Sequence, residues 1–241
     1  MNTRPIARVP KLAFALLFIC FLLQIGRNFG EKAGPAKFEK LPSPPPLELL
    51  RLSSFGDPIS SAKMLSLYLQ ASDQQAGIRV GFRQLDYTVV QEWMRRILDL
   101  DPPGQYPLLL ASRVYGEVSN PAQQQQMLNF VYEEFRHDPN RRWPWLAHAA
   151  VLAKHRLHDL PLARQYAKAL RSFATGSDVP HWVGQMEIFF LDDMNEQQSA
   201  RLLLGALLDS GTITDQHELN FLQERLAAFD KKLTPPSTEK K

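Results

Sequence analysis

Asp101-Pro102-Pro103-Gly104-Gln105-Tyr106-Pro107 and Asp138-Pro139-Asn140-Arg141-Arg142-Trp143-Pro144 are one phrase written twice, 37 residues apart. Each copy sets an Asp-Pro pair and then an aromatic-Pro pair between segments whose apolar residues recur at helical spacing. A residue before proline is pushed out of the helical region, so each Asp is expected to end a helix. Proline is tolerated in a first turn, where its missing N–H leaves no bond unmade, so Pro107 and Pro144 are expected to open the next helices. Repetition of this kind marks a chain built from stacked helical pairs.

Working outward, apolar residues at helical rather than strand spacing continue in both directions. Upstream, Leu47, Leu50 and Leu52 form a short helix stopped by Gly56. Asp57 or Ser60 caps a second with Met64, Leu65, Leu67, Tyr68 and Leu69. Asp86 caps a third with Val89, Val90, Trp93, Met94, Ile97 and Leu98. Downstream, 108–118 and 145–156 are first helices of two pairs, and 121–136 and 160–173 are their partners. Asp178-Val179-Pro180 opens a further pair, 36 residues after Pro144, that ends near Gly211. A last helix, capped by Thr214 or Asp215, carries Leu219, Leu222, Leu226 and Phe229 and has a charged exposed face, as a terminal cap should. One stretch, 73–85, breaks the pattern: Ile78, Val80 and Phe82 alternate with Arg79, Gly81 and Arg83.

Over roughly residues 87–229 this pattern resembles the tetratricopeptide-repeat superfamily. The resemblance rests on helix pairs of similar length, on Asp-Pro ending a second helix at Pro102 and Pro139, and on small-then-apolar spacings at Ala163/Ala167 and Ala200/Leu204. The chain departs from that family in its 36- to 37-residue period and in Tyr115, which stands where a first helix usually has a small residue. The resemblance implies an all-α, right-handed α-solenoid of antiparallel helix pairs. It also implies a concave groove, lined mainly by first helices, that binds peptides or helices of other proteins.

Residues 12–26 form an apolar run broken only by Gln24 and flanked by Arg4, Arg8, Lys11 and Arg27. At about 1.5 Å per residue the run spans only ~23 Å, so it needs its flanks, with Lys11 and Arg27 snorkelling, to cross a ~30 Å hydrocarbon core. A cleaved signal peptide has the same charge order but needs small residues at its cleavage positions; Arg27-Asn28-Phe29-Gly30 has no Ala-x-Ala pattern, and Ala33-Gly34-Pro35-Ala36 is spaced wrongly and carries a proline. The expectation is therefore a cytoplasmic N-terminus at 1–11, a transmembrane anchor or uncleaved signal at 12–29 and a Pro-rich linker at 30–46. A helical domain at 47–232 and a disordered tail at 233–241 complete it. The cationic flank places the folded part outside the cytoplasm. Cys20, the chain's single cysteine, lies in the apolar run, so the exported part carries no thiol, and no glycosylation sequon occurs. A bacterial inner-membrane protein with a periplasmic domain fits these features.

Residues 1–40 carry +5 of the chain's +3 net charge, leaving the other 201 residues at about −2. A domain so balanced lacks the basic face that neutralises phosphates, which argues against nucleic acid as a partner. No Gly-rich phosphate loop, Gly-x-Ser-x-Gly elbow or His-Glu-x-x-His occurs, so neither catalysis nor a cofactor is expected. His148, His155 and His158 lack the converging Cys or carboxylate that a metal centre needs and are expected on a helix surface. Glu133/Glu134 and Asp192/Asp193 are expected on solvated faces. Arg141, Arg142, Trp143 and Trp145 join the two residue types most enriched at interface hot spots. They are one candidate partner surface, although Trp145 also suits packing on the preceding repeat. Ile78, Val80 and Phe82 are the other, as a loop able to add a strand or to fold back onto the core. The expected function is a scaffold that recruits another envelope protein or peptide. A permanent accessory subunit of a membrane complex is the alternative, and an envelope enzyme the remotest.

Overall fold

A computed structural model of the chain describes residues 11–30, 40–72, 74–75, 78–79, 81 and 84–233. These are all-helical except for one small ladder: α1 Lys11–Gly30, α2 Leu47–Ser53, α3 Pro58–Ala71, β1 Gln74–Gln75, β2 Ile78–Arg79, α4 Tyr87–Leu100, α5 Tyr106–Arg113, α6 Pro121–Phe135, α7 Pro139–His155, α8 Leu160–Phe173, α9 His181–Asp193, α10 Gln197–Asp209 and α11 Gln216–Leu233. The strands pair antiparallel, Gln74 opposite Arg79 and Gln75 opposite Ile78. Ile78 thus lies in a strand, while Val80, Phe82, the N-terminal ten residues, 31–39 and 234–241 fall outside the described residues.

Side-chain caps fix the starts of α3, α4, α6, α8 and α11. Asp57 accepts from the Ser60 N–H at 3.0 Å, Asp86 from Thr88 at 3.0 Å, Asn120 from Ala122 at 3.0 Å, Asp159 from Leu162 at 2.9 Å and Asp215 from Glu218 at 2.8 Å. Each supplies an acceptor to a donor the helix cannot satisfy itself, worth about 0.5–2 kcal/mol. At the other end α4 stops at Asp101, whose N–H still bonds Ile97 O while its backbone leaves the helix.

The two copies of the repeated phrase fold differently, which corrects one expectation. In the first, Pro107 does lie in the opening turn of α5. In the second, α7 starts five residues earlier, at Pro139, and Pro144 sits inside the helix. Both prolines of the second copy are compatible with a first turn. Asn140-Arg141-Arg142 carries the helix on from Pro139, whereas Pro103-Gly104 interrupts it in the first copy. The Gly104 turn is tight: its N–H bonds Asp101 O at 2.9 Å, and a Cβ there would lie 2.9 Å from Asp101 O and 2.7 Å from Asp101 Oδ2. α5 is also shorter than the 108–118 expected. It gives way to a 3-10 turn, Tyr115–Glu117, where Tyr115 is fully buried and Gly116 lies against Ala111 O.

Consecutive helices pack on one another from α3 to α11. Alternate helices are joined by polar contacts. Among the odd-numbered helices, Gln70 of α3 donates to the Tyr106 hydroxyl of α5, Trp143 of α7 meets Trp182 of α9 edge-on at 5.5 Å, and Arg225 of α11 reaches Asp192 of α9 at 2.5 Å. Among the even-numbered ones, Gln91 of α4 donates to Gln126 O of α6 at 2.8 Å, and Tyr166 of α8 donates to Asn129 of α6 at 2.8 Å while stacking on Tyr132. Burial pushes the Tyr166 phenol pKa well up, so it stays a neutral donor. Many of these partners are 35 to 39 residues apart, close to the spacing of the repeated phrase. One apolar core runs from α2 to α9, and a second cluster of Ile188, Leu191, Ala200, Leu204, Ile213, Leu222 and Phe229 holds the C-terminal helices.

Of the acid pairs expected on solvated faces, Glu133 and Asp193 are exposed as expected, Glu134 and Asp192 are not, and all four bridge helices. Glu134 and Asp192 are largely buried, paired with Arg142 and Arg225, while Glu133 and Asp193 meet Arg95 and Lys154. Nearer the N-terminus, the folded body begins before Leu47. Leu41 packs against the core and Pro42 O accepts from Trp93 Nε1 at 2.7 Å, so residues 40–46 belong to the domain rather than to a free linker. Ahead of them α1 exposes its apolar side chains. Among the described residues no helix is long and apolar enough to cross a membrane.

Candidate interaction surface

In the second copy Arg142 and Trp145 are used up internally. Arg142 is buried: Nη1 donates to Glu134 Oε2 at 2.9 Å and Glu134 O at 2.7 Å, and Nη2 donates to Pro102 O at 3.1 Å. With side-chain exposures of 5% and 9%, the Arg142–Glu134 pair sits in a low-dielectric setting, where losing one partner strands the other's charge. Trp145 Nε1 donates to Gln105 Oε1. Arg142 therefore does not face a partner, contrary to its place in the candidate surface, because its guanidinium ties the α6–α7 corner to the α4–α5 turn. Arg141 is exposed, 3.3 Å from Asp138, and its backbone O accepts from Gln105 Nε2 at 3.2 Å. Trp143 is half-buried against the core, and Trp182 beside it keeps an exposed face.

The first copy leaves space at the corresponding place. A cleft of about 470 Å³ lies between α3, the end of α4 and the start of α5. Its floor is Ala62, Ser66, Ile97 and Pro107, and its rim is Lys63, Leu67, Gln105 and Tyr106. Counting 37 residues on, Ile97 corresponds to Glu134, Gln105 to Arg142 and Leu108 to Trp145. The residues that weld the second copy are thus replaced in the first by smaller or uncharged ones, and the gap they would fill stays open. Lys63 and Asp101 give the cleft one charge of each sign at its edge. Its walls are apolar, suited to an aliphatic or aromatic side chain.

Gln105 connects this cleft to the next repeat, since its side-chain amide bonds both Arg141 O and Trp145. A strip of aromatic residues therefore runs along the N-terminal ends of α5, α7 and α9: Tyr106, Trp143 and Trp182. Sequence reasoning named Trp143 and Tyr106 as residues whose exposure would mark the working surface but missed Trp182 and the row that joins all three, although the 37- and 39-residue spacings carried that signal. It missed the cleft altogether, because a cleft is an absence of filler and has no residue pattern.

Among the described residues no group of three His, Cys, Asp or Glu side chains could hold a metal ion. His158 takes a left-handed backbone, φ +54, at the end of α7. His148 is half-buried with Nε2 3.8 Å from Glu117 Oε1, too far for a hydrogen bond. Burial holds its pKa below the ordinary 6.5, helped by the Arg113 charge and opposed by Glu117. Comparison of the chain with protein-family models, curated proteins and solved structures gives no match.

Proposed function

We propose that this protein is a membrane-anchored scaffold, a divergent tetratricopeptide-like right-handed solenoid whose α3–α5 cleft seats an apolar side chain from a segment of another envelope protein. The observation that carries the reading is the open cleft at the first copy, where the second copy fills the same place with its own Arg142 and Trp145. The aromatic row beyond Gln105 offers the remainder of that segment a continuous track, and aromatic side chains supply contact area at low entropic cost. Alternate-helix contacts at near-constant sequence separation support the solenoid. The exposed apolar side chains of α1 and its cationic flanks support the anchor, with the folded domain on the periplasmic side.

The test is site-specific photo-crosslinking in cells, with a photoreactive residue at Lys63, at Tyr106 or, as a control, at Lys231 in α11. The expected outcome is a discrete adduct from the first two positions that disappears in Leu67→Glu and is absent from the third. Identical adduct patterns at all three positions, or none from Lys63 and Tyr106, would overturn the cleft as the working site.

A further inference from the structure

The two ends of the helical array are finished differently. At the C-terminal end the exposed residues of α11 are mostly polar, Gln223, Glu224, Lys231 and Lys232 among them, with Phe221 and Leu233 the large apolar exceptions, and Arg201 bonds Asp230 across to α10. That is the polar finish a terminal repeat needs in water. At the other end α2 and α3 turn Leu49, Leu52, Phe55, Ile59 and Met64 outward, with Leu52 78%, Met64 67% and Phe55 97% exposed. Phe55 stands at the tip of the α2–α3 turn with φ +50, next to Gly56 at φ +88. A bulky residue is uncommon in that region of backbone space. Here the turn is fastened around it: Ser54 N and Oγ both bond Arg51 O, and Asp57 N bonds Ser54 O at 2.9 Å. The ring is thus held out into solvent by a braced turn.

The chain itself indicates what covers this end. Since residues 40–46 pack on the domain, only ten Cα–Cα steps separate Gly30 at the end of α1 from Lys40 on the body, a reach of at most roughly 36 Å. The tether enters beside Trp93, whose ring meets Tyr68 of α3 at 5.2 Å, so the apolar end is the end tied to α1. Glu48, Asp57, Arg51 and Lys63 leave α2 and α3 without net charge, so nothing there repels an anionic lipid surface. We infer that the α2–α3 end is a lipid-contacting face: with α1 in the bilayer, the Leu52–Phe55 tip dips into the interface and seats the domain on the membrane. The inference rests on the proposed anchoring by α1. It places the domain on the surface, with its cleft close to the lipid, where a Pro-rich linker over 30–46 would have left it free of the bilayer.

The native chain carries a single thiol, Cys20 in α1, which allows both ideas to be tested separately. Full-length protein is reconstituted into phosphatidylcholine–phosphatidylglycerol vesicles containing spin-labelled lipid quenchers. An environment-sensitive fluorophore is placed at Cys20, or at Ser53→Cys or Lys231→Cys in a Cys20→Ser background. Interfacial side chains reach about 5–10 Å into the boundary of headgroups and acyl chains, so shallow quenchers are expected to dim the Ser53 site about twofold and to leave Lys231 unchanged. Leu52→Glu with Phe55→Glu is expected to abolish that dimming while Cys20 stays quenched. Quenching at Cys20 with the Ser53 site behaving like Lys231 overturns the lipid face and leaves the anchor standing. No quenching at Cys20 removes the anchor and the lipid face with it. Protection of the Ser53 site that follows protein concentration rather than lipid assigns the face to a second copy and overturns the inference.

Discussion

At the α4–α5 corner the chain spends five residues in a turn held by Gly104, while at the α6–α7 corner it re-enters a helix after three, at Pro139, and drives it through Pro144. The first corner stays open beside a cleft. The second is locked by a buried guanidinium that donates to both its own corner and the first. Near-identical words at a fixed period thus give one corner that binds its neighbours and one free to bind something else. The difference lies in the variable letters: Pro-Gly-Gln excludes helix and charge, whereas Asn-Arg-Arg supplies both. A repeat array gains from such asymmetry, since a corner welded by its own side chains keeps little to offer beyond Trp143 and Arg141.

The sharpest way to break this comparison is to cut the weld. Arg142→Ala leaves Glu134 buried without its main partner, and unfolding in urea is expected to show a loss of about 3–5 kcal/mol, against less than about 1 kcal/mol for Gln105→Ala at the matching position. Equal losses would mean that the corners share one role. Next in size is Gly104→Ala, whose Cβ meets Asp101 O and Oδ2 and forces the turn to shift; a destabilisation of about 1–3 kcal/mol is expected, with Arg141→Ala, its counterpart, near zero. A smaller effect of opposite sign is expected for Pro144→Ala. It restores a helical N–H, so the melting temperature should rise by an amount equivalent to about 1 kcal/mol, while Pro107→Ala, in a first turn, gains nothing.

The smallest effect is a pH dependence. His148 stands 37 residues after Ala111, so the second copy carries a titratable ring where the first has a methyl group. Its folded pKa lies below the ordinary 6.5, so as pH falls the unfolded chain takes up a proton first. Stability is full above about pH 6.5 and declines as pH drops towards the folded value. Urea midpoints measured from about pH 8 to pH 5 should show a shallower acid-side decline in His148→Gln than in the native chain. An unchanged slope would show that the ring titrates as it does in the unfolded chain.

Helix positions were largely legible in the sequence because local chemistry sets them: Asp57, Asp86, Asn120, Asp159 and Asp215 cap where their side chains reach the next turn's N–H groups. Pro144 misled because two prolines in one phrase each satisfied the rule for a first turn, and helix propensity between them decided the matter. Arg142 misled for another reason. A sequence shows its charge but not Glu134 folded back against it, and without that partner an arginine is expected at the surface. In α3, Met64, Leu65, Leu67, Tyr68 and Leu69 surround the helix, so spacing could not choose a face; packing buries Ala62, Ser66 and Leu69 and turns Met64 and Leu67 outward. Of the candidate partner residues, Arg141 lies exposed and Trp143 half-exposed, as their place at an inter-repeat corner suggested, whereas the cleft beside Tyr106 depends on how three helices meet.

The division of the interior into two apolar clusters sets the order in which the molecule can come apart. α9 is a party wall, with Val183, Met186 and Phe190 facing the large cluster and Ile188 and Leu191 the small one. α10 and α11 can swing away by breaking the small cluster and a few polar contacts to α9, Arg225–Asp192 and Gln185–Glu218 among them, so their amide protons should trade with deuterated solvent well before those of α6 to α8. α9 would then keep one wetted side and one dry, and its protection would fall between the two. A protein pulled on at its C-terminus would yield there first, leaving the repeated phrase and the cleft at its first copy in place.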